Sequence, residues 1–486
     1  MSTPSTSSGE SLRPYIGFGL LLLPLAAAAL AAPKGAVLML GALAGLAGLL
    51  SIAAFVPQRL GDVLYFALLA TVAIPLDKYF GYQSHIGGWP GLRIALADVF
   101  AVLLALVLMI GRLLGHTRLV LPAAVGIPYL LWLVQYVFSA LGAPRRELAA
   151  YEIASAVHAL VIAVLVASFF ERRHADVVFS VVATLVILHT GFAVVQAATG
   201  RPIGAGLFGG RGEVMKEALS SGMVRLRPSG LFDHPIVYAD FILVSLPMLA
   251  AGVMILRRPF LRLIVGMGLA IGLGGLVLTL SRGAWISSLA AAALLAFLAL
   301  RLGLITLATL KRVALPAAVG ALVLAAAFGP KVYERVTESQ KGNLRVRFEL
   351  NEIALSMVKA HPFVGVGLNN FIPVMDRYDP KDVMRYFPAT VHNLYLLEAS
   401  EAGIPAALFL IATGAGLTLW TLRRLPQIDD RVLRWLAAAL LAGLTGFALS
   451  QVADFSHRLE PLRTVLWAYV GLLIGAVRTG VAEARA

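Results

Sequence analysis

The sequence predicts an all-α polytopic membrane protein, on three observations. Of its 486 residues 59% are hydrophobic and only 14% charged, with a mean hydropathy of +0.85, whereas a soluble domain carries about 25% charged residues. Apolar runs of roughly 20 residues, the helix length that crosses a bilayer with every backbone group paired internally, recur between charged breaks. Lys and Arg are dense in alternate connections between those runs, as cytoplasmic loops require.

The elements follow in order. Residues 1–13, rich in Ser and Thr, are expected to form a disordered cytoplasmic tail. An N-terminal membrane block, 14–198, contains apolar runs at 14–32, 35–56, 63–79, 94–111, 120–141, 152–170 and 177–198. The Ala-rich end of the first run is read as retained helix rather than a leader-peptide cleavage site, because Pro33 lies beside it and another run follows at once. A loop at 199–234 leads to a central block, 235–329, with runs at 235–256, 260–280, 283–301 and 313–329. After a larger loop, 330–393, the C-terminal block 394–486 holds runs at 394–422, 432–452 and 463–480 and ends in a tail. That makes about fourteen transmembrane helices, an even number that places both termini on one side.

The basic residues orient the bundle. With the N-terminus inside, 18 of the 40 Lys and Arg residues fall on the cytoplasmic side and 8 in short outer connections, the other 14 belonging to the two long loops. Both long loops therefore face outward. The net charge of +14 and pI near 10.2 are accounted for by this topology, and no nucleic-acid partner is inferred. There is no cysteine, which excludes disulfides, thiolate metal sites and a Cys nucleophile. No pair of histidines has metal-ligand spacing, and no metal site is inferred. His158 and His189 fall within apolar runs and are read as packing or interhelical hydrogen bonds, while His234 and His361 each precede a proline and suggest turns. The acidic residues near the apolar runs, Asp62, Asp77, Asp98, Asp240 and Asp454, form no recognisable proton relay. "GLGGL" at 272–276 reads as a helix-packing surface of small residues rather than a phosphate loop.

Three segments concentrate polar chemistry at the membrane boundary. In "MVRLRPSGLFDHPIVYADF", 223–241, Arg225 and Arg227 lie two apart in chain that Pro228 biases toward extended structure, which puts both guanidinium groups on one side. Such forks grip a phosphate or pyrophosphate bidentately, or anchor the chain among lipid headgroups. In "LTLSRGAWISS", 278–288, Arg282 sits between two apolar runs with almost no loop, and Gly283 is expected to provide the turn. It points into a cavity or snorkels to headgroups. In "FPATVHNLYLLEASEAGIPAALF", 387–409, Thr390 is the expected N-cap of a short helix with His392, Tyr395 and Ala399 on one face, interrupted by Gly403 and Pro405. An imidazole with an ordinary pKa near 6.5 suits proton removal from a hydroxyl. Glu398 and Glu401 either bind a sugar or basic group, or are solvated or ion-paired.

These segments, with "RVRFELNEIALSMVKAHPFVGVGLNNF" in the largest loop, resemble the bacterial superfamily of O-antigen ligases and Wzy-type polysaccharide polymerases. The motifs "RPSGLFDHP", "LSRGAW" and "HNLYLLEASEAGIPAALF" occur in the family's order over about 235 to 410, and the first seven runs match only in being hydrophobic. The resemblance implies an integral glycosyltransferase of GT-C-like architecture in the bacterial inner membrane, with an undecaprenyl-diphosphate-linked glycan as donor on the periplasmic face. Carried over by motif, Arg227, Arg282 and His392 match the family's essential arginines and histidine, with Arg225 a neighbour. On this basis the arginines neutralise the donor diphosphate without a metal ion or other cofactor, and His392 deprotonates an acceptor sugar hydroxyl, with inversion. Arg345, Arg347, Tyr395 and Glu398 are candidate substrate contacts.

Within the superfamily a polymerase adds repeat units to another lipid-linked glycan, a ligase moves the glycan to lipid A core, and a protein glycosyltransferase is a third alternative. About fourteen spans favour the polymerase, for which a chain-length regulator is an expected partner. The rival of another class is a transporter or flippase of an anionic lipid-linked glycan, in which the arginines bind cargo. The suggestive residues cluster at one face rather than at the midplane, which favours an interfacial enzyme.

Overall fold

The computed structural model describes residues 60–83, 85, 87–113, 119–204, 216–218, 224–312 and 340–484. The expected tail at 1–13 and the runs at 14–32, 35–56 and 313–329 lie outside them. Ten helices among the described residues are long and apolar enough to cross a membrane. They are α2 (Leu96–Leu113), α3 (Ala123–Leu141), α4 (Arg146–Phe169), α5 (Ala175–Thr199), α6 (Pro235–Ile255), α7 (Pro259–Leu278), α8 (Arg282–Arg301), α11 (Ile404–Arg424), α12 (Arg431–Ser450) and α13 (Leu462–Glu483). Three further helices complete the labelling: α1 (Leu60–Thr71), α9 (Gln340–Ala360) and α10 (Leu394–Ala402).

One run differs from the sequence expectation, and a second carries the interruption expected of it at Gly403. The run at 63–79 is not one helix: α1 stops at Thr71, Pro75 interrupts the chain, and Asp77–Phe80 forms strand β1, paired antiparallel with β2 (Leu92–Ala95). The run at 394–422 is α10 and α11 broken at Gly403, whose φ of 86° is the left-handed region that a residue with a Cβ adopts only with strain. Only α11 is long enough to cross.

The bundle closes by pairing α13 with α4, α12 with α6 and α8, α11 with α3, and α7 with α5 and α6. Small residues permit close approach. At Gly275, within the "GLGGL" stretch, a Cβ would lie 2.3 Å from the Tyr238 hydroxyl, so the packing reading of that stretch holds. Polar pairs lock the helices together, since an unpaired polar group inside the bundle is costly. Tyr129 donates to the Ala156 carbonyl at 2.6 Å, and Ser245 pairs with the Tyr469 hydroxyl at 3.0 Å. His158 makes the expected interhelical bond, to Asp98 at 2.8 Å, while His189 is a packing group stacked on Phe232 and bonded to the Ala73 carbonyl, in the turn after α1, at 2.9 Å.

One end of the bundle carries Arg112, Arg172, Arg173, Arg257, Arg258, Arg262, Arg301, Lys311, Arg312, Arg423, Arg424, Arg431 and Arg434 at or between helix ends. Bonds such as Arg172 to Asp430 (2.6 Å) and Arg431 to the Leu304 carbonyl (2.8 Å) tie that end together. The opposite end holds β1–β2, the strands β3 (Lys216–Ala218) and β4 (Val224–Leu226), and α9 with the chain leading to α10. This large loop has its own apolar core. Leu350, Ile353, Ala354 and Met357 of α9 pack with Phe371, Val374, Met375, Val383, Val391, Leu394, Leu397 and Phe455. Beneath it, Arg458 and Arg463 are fully buried among Glu152, Glu398 and Glu401.

Candidate functional site

Arg227 follows the extended strand β4, as Pro228 led one to expect, in an antiparallel pair where Glu217 faces Arg225 across the ribbon. Nothing further is described of the Arg225 side chain. The segment beyond Arg227 is clamped from the end of α5. The Gln196 side-chain oxygen accepts from the Ser229 and Gly230 amides (2.8 and 3.1 Å), while its nitrogen donates to the Gly230 and Ile203 carbonyls (2.6 and 2.8 Å). The four contacts saturate one buried amide and remove the local freedom of the loop. His234 then caps α6, its Nδ1 accepting from the Ile236 amide at 3.2 Å.

So held, Arg227 is buried, and its Nη2 donates to the Thr279 carbonyl at 2.9 Å, in the corner between α7 and α8. The turn of this corner lies at Leu280, with φ of 53°, and not at Gly283, which is inside the first turn of α8. Ser281 is the N-cap, its hydroxyl accepting from the Ala284 amide at 3.4 Å. Capping by Ser281 makes Arg282 the first helical residue, which is why the expected glycine turn is displaced. Arg282 is half-buried there, three residues from the carbonyl that holds Arg227.

His392 stands before α10, not on it. Asn393 is the N-cap, accepting from the Leu396 amide at 3.0 Å, so the expected cap at Thr390 and the shared face of His392 with Tyr395 and Ala399 are both corrected. Asn393 sits three residues nearer the apolar run than Thr390 and has the reach to cap it. The ring of His392 is fixed by the Thr390 carbonyl, 3.1 Å from Nδ1, and by an edge-on contact with Phe455, centroids 5.5 Å apart. The Leu394 amide bonds the carbonyls of Gln451 (3.0 Å) and Asp454 (2.9 Å), which brings the turn after α12 against His392.

That turn supplies a residue the sequence did not single out for the site. Burial raises the pKa of the Asp454 carboxyl, and His392, then Arg347 and Arg227, act against the rise through their charges. Burial lowers the His392 pKa, and Asp454 acts in the opposite sense. His234 belongs to the same field: burial pushes it down to about 3, with Arg227 and His392 adding to the shift. The charges of Arg227, Arg347, His234, His392 and Asp454 thus act on one another, from four separate stretches of chain.

Arg347 reaches this group from α9, its Nη1 donating to the Ala453 carbonyl at 3.1 Å. Arg345, two residues earlier on the helix, turns elsewhere. It is 79% exposed and pairs with Glu349 at 3.0 Å, which also accepts from Tyr386 at 2.8 Å. Tyr395 donates to the Ala448 carbonyl at 2.8 Å. Glu398 lies inside the fold and not at an open surface: it accepts from Trp132 (3.1 Å) and Tyr136 (2.8 Å) and pairs with Arg458 (3.0 Å). Of the two readings of Glu398 and Glu401, ion pairing is the one observed. Glu401 pairs with Arg458 and accepts from the Asn369 and Phe371 amides, each at 2.9 Å.

Chemically, a half-buried imidazole whose ring is held by a carbonyl and an aromatic edge, beside a carboxylate, is suited to accept a proton. Guanidinium groups nearby are suited to an anionic oxygen. Among the described residues no group of three or more His, Cys, Asp or Glu side chains is placed to share a cation.

Residues 267–411 match the family model for O-Antigen ligase, Wzy_C. The matched stretch runs from α7 into α11 and includes Arg282, Arg345, Arg347 and His392; Arg227 and Asp454 lie outside it. No curated protein matches the chain.

Proposed function

We propose, on the premise that this chain is a member of the superfamily of O-antigen ligases and Wzy-type polysaccharide polymerases, that it joins lipid-linked glycans on the periplasmic face of the inner membrane. The donor is an undecaprenyl-diphosphate-linked glycan and the acceptor a sugar hydroxyl. The observation that carries this reading is the convergence of Arg227, Arg347 and the His392–Asp454 pair beside the corner that bears Arg282.

The step is a single displacement. His392 takes the proton of the acceptor hydroxyl as its oxygen attacks the anomeric carbon. The bond from that carbon to the diphosphate oxygen breaks, and the new linkage has inverted configuration. Arg227 and Arg282 hold the diphosphate, whose negative charge grows as the bond breaks, so their interaction strengthens toward the transition state. The Thr390 carbonyl holds the ring, and the Asp454 carboxylate stabilises by its charge the imidazolium that forms. Arg347 contacts donor or acceptor from the large loop.

Purified protein incubated with lipid-linked glycan should extend it. His392→Ala is expected to lower transfer by about 10²–10⁴-fold, the range for loss of a general base, and Arg282→Ala to abolish it, with both variants still inserted in the membrane. Normal product yield from both would refute the roles. A glycan lengthened on its lipid carrier would identify a polymerase, the reading first drawn from about fourteen apolar runs, ten of which are crossing helices among the described residues. Product found only on lipid A core would identify a ligase, and movement of donor across vesicles without a new glycosidic bond would identify a transporter.

A further inference from the structure

The hairpin β1–β2 has two unlike faces. Antiparallel pairing sets Lys78 opposite Ile94 and Phe80 opposite Leu92, and these four side chains share one face because side chains alternate along a strand. Phe80, Leu92 and Ile94 are 47%, 43% and 48% exposed, and Lys78 is exposed with its Nζ 5.4 Å from the centroid of the Phe80 ring. The other face is buried and polar. Arg93 pairs there with Asp77 and, at 3.1 Å, with Glu460 in the connection leading to α13.

In water an open sheet face of one aromatic and two aliphatic side chains is unfavourable. Its surroundings say what covers it. Ile94 is two residues from the start of α2, and that span leaves Val99, Val102, Leu106 and Ile110 exposed, the surface a transmembrane helix turns to lipid. The hairpin face is therefore continuous with a lipid-facing surface and lies at its boundary. At such a boundary apolar side chains, Phe among them, bury themselves at the junction of headgroups and acyl chains, and a lysine lays its stem along them with the ammonium at phosphate.

We propose that the β1–β2 face rests in the outer boundary of the bilayer, with Phe80, Leu92 and Ile94 in contact with lipid and the Lys78 ammonium at lipid phosphate. The hairpin is also rigidly attached to the large loop. His85 at its tip bonds Asn369 at 2.7 Å, and Asn369 donates to the Trp89 carbonyl at 2.9 Å. Gly87 lies so close to Thr390 that a Cβ there would be 2.1 Å from its methyl group. Thr390 is two residues from His392, so the hairpin sets the depth of that segment relative to the membrane surface. The lipid contact itself does not depend on the proposed activity.

The chain has no cysteine, so single-cysteine variants Phe80→Cys and Ile94→Cys can carry one environment-sensitive fluorophore each. The labelled proteins are reconstituted in vesicles of phosphatidylcholine and phosphatidylglycerol, with Arg385→Cys in the large loop as the water-exposed reference. Nitroxide-bearing lipids are expected to quench both hairpin labels several-fold more than the reference, and iodide several-fold less. Iodide quenching equal to the reference would overturn the proposal. So would protection from both quenchers, which would mean that another part of this chain or a second protein covers the face.

Discussion

The Asp454 carboxyl feels the charges of His392, Arg347 and Arg227, each from a different part of the chain, and no motif marks it. Its effect on His392 has a definite sign. Burial lowers the imidazole pKa and the carboxylate opposes that shift, so the proposed base is neutral at pH 7 and becomes protonated as pH falls below its ordinary range. Asp454→Asn removes the opposing charge. The acid limb of the pH–rate profile should then move to lower pH, while the rate at neutral pH falls by about tenfold or more through loss of support for the imidazolium. A profile with an unmoved acid limb would show that Asp454 and His392 do not interact during turnover. At this scale the sequence singled out Arg282 and His392 because each stands beside an apolar run, and Arg227 because Pro228 extends the chain that carries it. Gln196 and Asp454 were not legible as site residues, since a polar residue at a helix end has many uses until its neighbours are known.

Among the elements, the break at Gly403 decides how the large loop meets the membrane. Its positive φ turns the chain from α10 into α11, and a Cβ there would lie 2.3 Å from the Phe363 carbonyl oxygen, which accepts from the Gln135 side chain at 2.6 Å. The Ile404 amide donates to the Pro362 carbonyl at 2.8 Å across the same junction. Gly403→Ala combines a backbone penalty with a backbone clash, and a loss of about 1–3 kcal/mol is expected, read as a lowered thermal midpoint in detergent. An unchanged midpoint would mean that the junction relaxes freely. The apolar pattern announced both α10 and α11, and Gly403 with Pro405 announced the break. It did not announce that Asn393, rather than Thr390, would start the short helix. Cap choice depends on which side chain reaches the free amides once the loop has been placed, and here the amide of Leu394 is already engaged by the turn after α12.

For the molecule as a whole, the buried ions join the membrane bundle to the outer loop. Arg458 bonds Glu152 of α4 at 2.8 Å and both Glu398 and Glu401 of α10, and Arg463 of α13 bonds the same Glu152 at 2.5 Å. All five side chains are shielded from solvent. Removing one partner from such a group leaves unmatched charge inside the protein, at a cost of about 3–5 kcal/mol. Arg458→Met should accordingly lower the thermal midpoint strongly and loosen the attachment of the large loop, measurable as faster proteolysis within 361–393. Arg458→Lys should recover only part of the loss, because one ammonium cannot reproduce a fork that meets three carboxylates. If Arg458→Met left both the midpoint and the proteolysis rate unchanged, the cluster would not hold the two layers together.

Composition and apolar run length determined the class of this protein and the positions of the ten spans among the described residues, because the bilayer imposes a one-dimensional rule that each helix must satisfy by itself. The alternation of basic connections likewise follows from local sequence. Which polar side chains meet was decided only in three dimensions. Glu398 and Arg458 are 60 residues apart in the numbering and form a buried ion pair, as do Arg93 and Glu460. The pairing of His392 with Asp454 has the same origin: charge interactions depend on distance through the fold, and that distance is set when α12 and α13 close against α6 and α4.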